Sequence, residues 1–165
     1  MILTVKNNLP ELLKFWEYEQ TTPRWFRETC RTNEFDEKDY LDWCAKMWRI
    51  YGLLDNKAAV MVAKHGTRAE IHFSFLPDAD KATLIDELIQ IRADIFCAGI
   101  EVIFGWVARQ NRGLRKICEQ LGLTFYGFRR FSGESHGRVI EWQCYGISQA
   151  SILVAKPQKI VLSLG

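Results

Sequence analysis

The chain has 165 residues, about one domain's length and enough to bury one sizeable core. Apolar residues make up 48% and charged residues 25%, which excludes a disordered chain. A formal charge of +2 is too small for nucleic-acid binding by phosphate neutralisation, and no run approaches the ~18 apolar residues that a membrane-spanning helix needs.

Met1 to Lys6 is a short β-prone run closed by Asn7-Asn8. Leu9-Pro10 opens a helix with proline in its tolerated first turn, and Leu12, Leu13, Phe15 and Trp16 supply its apolar face. Thr21 to Asn33 is polar, contains Pro23 and reads as a loop or broken helix. A second helix is expected over about Phe35 to Ile50, because Tyr40, Leu41, Trp43, Cys44, Met47 and Trp48 recur at three- and four-residue intervals. Three strands follow at Tyr51 to Leu54, Ala58 to Ala63 and Arg68 to Phe75, with Asp55-Asn56 and His65-Gly66 as turns. Short consecutive strands with tight turns imply an antiparallel meander.

Asp80 to Ala98 is a long helix whose Leu84, Leu88, Ile91 and Ile95 form one stripe, and Gly99 stops it. Ile100 to Val107 is an apolar, fully buried strand. Asn111 to Leu121 is a helix with the stripe Leu114, Ile117, Cys118 and Leu121, stopped by Gly122. Leu123 to Phe131 and Arg138 to Ile147 are the last strands, with an apolar run at Ile160 to Leu164 behind Pro157. The β-α-β passage from residue 68 to 107 requires a parallel crossover. The expected class is therefore α/β, or α+β in a stricter scheme: a mixed, mostly antiparallel sheet flanked by about four helices. Residues 1–150 form one domain and 151–165 a strand-like extension, which adds a strand to its own sheet or to a second copy.

Five cysteines, Cys30, Cys44, Cys97, Cys118 and Cys144, include no CxxC pair and no histidine spacing suited to zinc. Free thiols in a reducing, cytoplasmic setting are expected, with no metal. Met1 to Asn7 lacks a basic region followed by an apolar stretch, so no signal peptide is expected there.

Two segments carry a family resemblance. Arg68-Ala69-Glu70-Ile71-His72-Phe73-Ser74-Phe75-Leu76-Pro77 resembles the fourth strand of the GNAT superfamily of N-acetyltransferases, which runs to a proline before a cofactor loop. Asn111-Arg112-Gly113-Leu114-Arg115-Lys116-Ile117-Cys118-Glu119-Gln120-Leu121-Gly122-Leu123 resembles that superfamily's later motif, an Asn at a helix start followed by an aliphatic stripe and Leu-Gly. The resemblance implies acyl transfer from acetyl-CoA, or another acyl-CoA, to a small-molecule or peptide amine. It further implies that Phe73, Phe75 and Leu76 line the pantetheine arm, and that Lys81, Ala82 and Thr83 meet the diphosphate at a helix start. Asn111 would also help bind the arm. The chain departs from the pattern in Asp78-Ala79-Asp80-Lys81-Ala82-Thr83-Leu84-Ile85, which has no glycine and puts Asp where the superfamily has Arg. At ~4 Å and an effective dielectric of ~20, each carboxylate–phosphate pair would oppose binding by about 4 kcal/mol. Degenerate loops of this kind also resemble those of GNAT-like tailed-phage proteins, some carried inside virions, so a non-catalytic protein that has lost CoA binding is the alternative.

Each candidate residue has two readings. Glu70 and His72 leave the same face of their strand and would act as a general base; half-exposed strands also show such alternation routinely. Cys118 falls where the superfamily often has a Tyr acid, and it also belongs to its helix's core stripe. Tyr126 and Tyr145 are alternative acids. Asn111, Asp78 and Asp80 suit helix caps without any cofactor. Trp25, Phe26, Trp43, Trp48 and Tyr51 would build an aromatic acceptor pocket or pack in the core, and Arg129, Arg130 and Arg138 form a basic patch or a solvated surface.

Overall fold

The computed structural model describes residues 1–21, 36–131 and 140–154. Chain order gives β1 (Ile2–Leu3), α1 (Leu9–Thr21), α2 (Glu37–Ala45), β2 (Arg49–Leu53), β3 (Ala58–His65) and β4 (Arg68–Phe75). Then come α3 (Lys81–Cys97), β5 (Val102–Ala108), α4 (Arg112–Gln120), β6 (Thr124–Phe131), β7 (Ile140–Ser148) and α5 (Gln149–Val154). The seven strands form one sheet in the order β1-β2-β3-β4-β5-β7-β6, antiparallel except for the pair β4–β5. The expected class and sheet therefore stand, with five helices among the described residues.

Helices cover both faces because two apolar stripes exist. On one face, Leu12, Phe15 and Trp16 of α1 and Tyr40 and Cys44 of α2 pack on Leu3, Ile50, Ala59 and Met61. On the other, Leu84, Leu88, Ile91 and Ile95 of α3, spaced by four, three and four, bury against Val60, Val62, Ile71 and Ile103. Ile117 and Cys118 of α4 join this larger cluster. A capping box starts α2: the Asp39 N–H donates to Asp36 Oδ1 at 2.9 Å, and the Asp36 N–H donates to Asp39 Oδ2 at 3.3 Å.

Apart from shifts of one or two residues at other element ends, three differences from the sequence reading matter. The helix expected over 35–50 ends at Ala45, and Arg49 already pairs with Val62. Met47, Trp48 and Ile50 fit both a three-four and a two-residue period; pairing with β3 makes a strand from Arg49 on, and Met47 and Trp48 lie in the connection before it. Second, β3 continues to His65, because Gly66 at φ 63 turns the chain sharply enough for His65 to lie opposite Arg68. Third, residues 149–154 are helical, with Ile152 packed on the larger core, where the extension was expected to be strand-like from 151. The run Ile160 to Leu164 lies outside the described residues, as do Cys30, Trp25, Phe26 and Arg138.

Candidate active site

β4 and β5 begin as neighbours and then part. Parallel pairing is confined to Arg68, Ala69 and Glu70 with Val102, Ile103 and Phe104. Both strands run on, β4 to Phe75 and β5 to Ala108. Each stays fastened on its outer side, β4 to β3 as far as Phe75↔Ala58 and β5 to β7 as far as Ala108↔Trp142. At the closed end the backbones nearly touch: a Cβ on Gly105 would lie 2.9 Å from the Ile71 carbonyl oxygen, so only glycine permits the approach. Beyond it no ladder joins Ile71–Phe75 to Val107–Ala108, so the inner backbone edges of the two strands are left facing the cleft where they part. An extended, amide-bearing chain can pair with such edges as a strand would.

The alternation of β4 gives the cleft two different walls. Ala69, Ile71, Phe73 and Phe75 face α3, and the Phe73 and Phe75 rings stack with centroids 6.0 Å apart. Beneath them, a hollow between Ile71, Phe73, Leu88, Ile103 and Leu123 measures about 20 Å³, room for about one water. A ligand would therefore lie along the strand edges rather than sink into the core. Glu70, His72 and Ser74 occupy the opposite face, toward α2. Glu70 Oε1 is 3.5 Å from His72 Nε2, and Glu70 Oε2 is 3.8 Å from His65 Nε2. Trp43 of α2 meets the His72 ring edge-on at 5.3 Å. Burial holds the His72 imidazole below its ordinary pKa; Glu70 opposes that shift and His65 reinforces it. On β7, the Cys144 thiol is raised by burial and then by the Glu70 charge.

Other expected site residues are distributed differently. Cys118 is 1% exposed within the α3–α4 core, and burial pushes its thiol up to about 12. It is not brought together with Glu70 and His72. Asn111 caps α4, its Oδ1 accepting the Leu114 N–H at 3.1 Å. Tyr145 is buried and its hydroxyl donates to Gln143 Oε1 at 3.3 Å, whereas Tyr126 is 61% exposed, its ring over Gly146. Trp43 is the one described member of the expected aromatic pocket beside His72. Trp48 lies on the other side of the sheet with Arg49 and Lys64 over its ring, and Tyr51 is buried there and donates to Asp94. The side chains of Arg129 and Arg130 lie outside the described atoms.

The loop before α3 is tied to the β2–β3 turn. The Leu76 N–H donates to the Lys57 carbonyl at 2.8 Å, and Lys57 Nζ pairs with Asp78 Oδ2 at 2.9 Å. The hydrogen bond from Lys57 holds the Asp78 carboxyl below its usual range. Asp78 thus spends its carboxylate on Lys57, a partner the sequence reading passed over in favour of capping. Lys81, Ala82 and Thr83 open α3, and Thr83 Oγ1 donates to the Asp80 carbonyl at 3.2 Å. Beside Thr83 lies an open hollow of about 550 Å³ whose lining includes the carboxylates of Asp55 and Glu87. The strand edges fit a pantetheine-like arm; the helix start, without glycine and flanked by carboxylates, is a poor cradle for a diphosphate.

Among the described residues no group of three metal-binding side chains could hold a metal ion, Cys44, Cys97, Cys118 and Cys144 are free thiols, and no helix is long and apolar enough to cross a membrane. His65 was missed by sequence reasoning, which placed it in a turn. Counting back from a two-residue turn at Gly66-Thr67 would have put it on the face of Glu70.

The sequence matches no protein-family profile and no curated protein. Solved structures do resemble it. A ribosomal-protein-alanine N-acetyltransferase from Brucella melitensis superposes with a TM-score of 0.70 at 12% identity, covering 90% of this chain and 99% of that one. A GNAT-family protein from Chromobacterium violaceum gives 0.68 at 13% identity, over 92% and 83% of the two chains. A chimeric Vibrio cholerae spermidine N-acetyltransferase gives 0.66 at 15% identity, over 92% and 97%. The chain therefore has the fold of the GNAT N-acetyltransferases.

Proposed function

We propose that the chain is an N-acyltransferase that takes an acyl group from acetyl-CoA, or another acyl-CoA, and passes it to a small-molecule or peptide amine. The observation that carries this reading is the parting of β4 and β5 after three paired residues, which leaves two backbone edges free beside a carboxylate–imidazole pair. Phe73, Phe75 and Leu76 would hold the arm through their backbone groups. The α3 start at Lys81, Ala82 and Thr83 would face the diphosphate, and Asn111 would fix the beginning of α4. When bound, the thioester supplies an activated acyl carbon.

The chain's own residues handle the proton. An amine is protonated at neutral pH and has no lone pair to offer. His72, held below its ordinary pKa, is neutral and can accept that proton, with Glu70 stabilising the imidazolium that results. The leaving thiolate needs little help, since a thiol's ordinary pKa is about 8.5. Cys118, buried with its thiol raised to about 12, serves in this reading as packing.

A second reading has its own support: the glycine-free loop with Asp78 bound to Lys57 suits a GNAT-fold protein that no longer binds CoA. Calorimetry with acetyl-CoA separates the two. Saturable binding below millimolar concentration, followed by acetylation within a panel of amines, is the expected result. No saturation at millimolar cofactor would end the transferase reading and leave the non-catalytic one.

A further inference from the structure

We propose that His65 is a proton outlet: through Glu70 it passes to solvent the proton that His72 takes from the acceptor. This inference rests on the transferase reading. Acyl transfer from a thioester to an ammonium forms a C–N bond, breaks a C–S bond, yields an amide and a thiol, and releases one proton. That proton must leave the base before the next turnover.

The geometry supplies a path. His65, Glu70 and His72 lie on one face of the β3–β4 ladder, with Glu70 opposite Ala63 and His72 opposite Met61. One carboxylate lies between two imidazoles, each on its own oxygen, at 3.5 Å for His72 and 3.8 Å for His65. Those separations close with a small side-chain rotation or one bridging water. His65 is the most open of the three: its side chain is 58% exposed, against 37% for His72 and 24% for the central Glu70. Trp43 covers the edge of His72, while His65 stands at the Gly66 turn, at the end of β4 away from the cleft. Substrates would therefore enter at one end and the proton leave at the other.

Electrostatics gives the path a direction. The charged and titratable groups facing it are Glu70 and Arg68 from β4, His65 from β3 and the Cys144 thiol from β7; α2 contributes the uncharged Trp43. Glu70 favours one imidazolium beside it, and two imidazoliums repel through it. A proton arriving at His72 thus favours release of one already on His65, and Arg68 opposite His65 adds to that push.

Imidazole titration by NMR on the full chain tests the coupling without any substrate. In His65→Gln the His72 midpoint should rise, and in Glu70→Gln the His72 midpoint should fall. A His72 curve in His65→Gln that superimposes on the wild type would overturn the outlet. Kinetics give the second readout. With an amine the wild type acetylates, His65→Gln should lower kcat on the order of tenfold at unchanged KM, with free imidazole restoring it. An unaltered kcat would overturn the outlet alone, whereas a wild type that neither binds nor turns over acetyl-CoA removes the transferase reading and the outlet with it.

Discussion

The two faces of β4 obey the same two-residue alternation and are built for different ends. Toward α3, Ala69 and Ile71 are buried in a core of Leu84, Leu88, Ile91 and Ile95 that has room for about one water. Toward α2, Glu70 and His72 sit half-buried beside Trp43, with two histidines on one carboxylate. An apolar face can be justified by packing alone. A half-buried carboxylate–imidazole pair carries a desolvation cost that packing does not require, and the proposed proton transfer would give that pair a use.

The sharpest way to break that comparison is to damage the packing face. Leu84 is 0% exposed, so Leu84→Ala should lower the unfolding free energy by about 2–5 kcal/mol in urea titration. Under native conditions the imidazole titrations should stay where they were. If they move with Leu84→Ala, the two faces are not separable.

Much of this division was legible in the sequence. The Glu70/His72 and Ile71/Phe73 alternation named the faces of β4, and the Leu84 to Ile95 stripe named its partner helix. What one strand's pattern does not encode is which neighbour it pairs with, and for how long. The parting of β4 and β5 after Glu70 depends on two outer ladders and on Gly105 meeting Ile71, and both the β5–β7 ladder and the Gly105–Ile71 approach join residues more than thirty apart. The Lys57–Asp78 pair joins two turns, a contact that no local pattern encodes. His65 was lost to a strand end set two residues short, and Met47 to Ile50 to a period that fits helix and strand alike.

A smaller effect sharpens the polar face. His72 is depressed in the folded state, so it binds a proton more readily once unfolded. Its contribution to stability is fully present above about pH 6.5 and is lost as pH falls through its lowered folded value. Urea unfolding of wild type and His72→Gln between pH 7.5 and 5.5 should show the wild type losing stability faster on acidification. Parallel curves would mean that the imidazole is not desolvated.

The central claim is that the edges freed between β4 and β5 still receive a thioester donor despite the acidic, glycine-free loop beyond them. Amide chemical-shift mapping during an acetyl-CoA titration addresses it directly. The account predicts saturable shifts concentrated at Phe73 to Leu76 and at Val107 and Ala108, fading toward β1 and β2. Shifts absent from both edges, or spread evenly over the surface at millimolar cofactor, would contradict it.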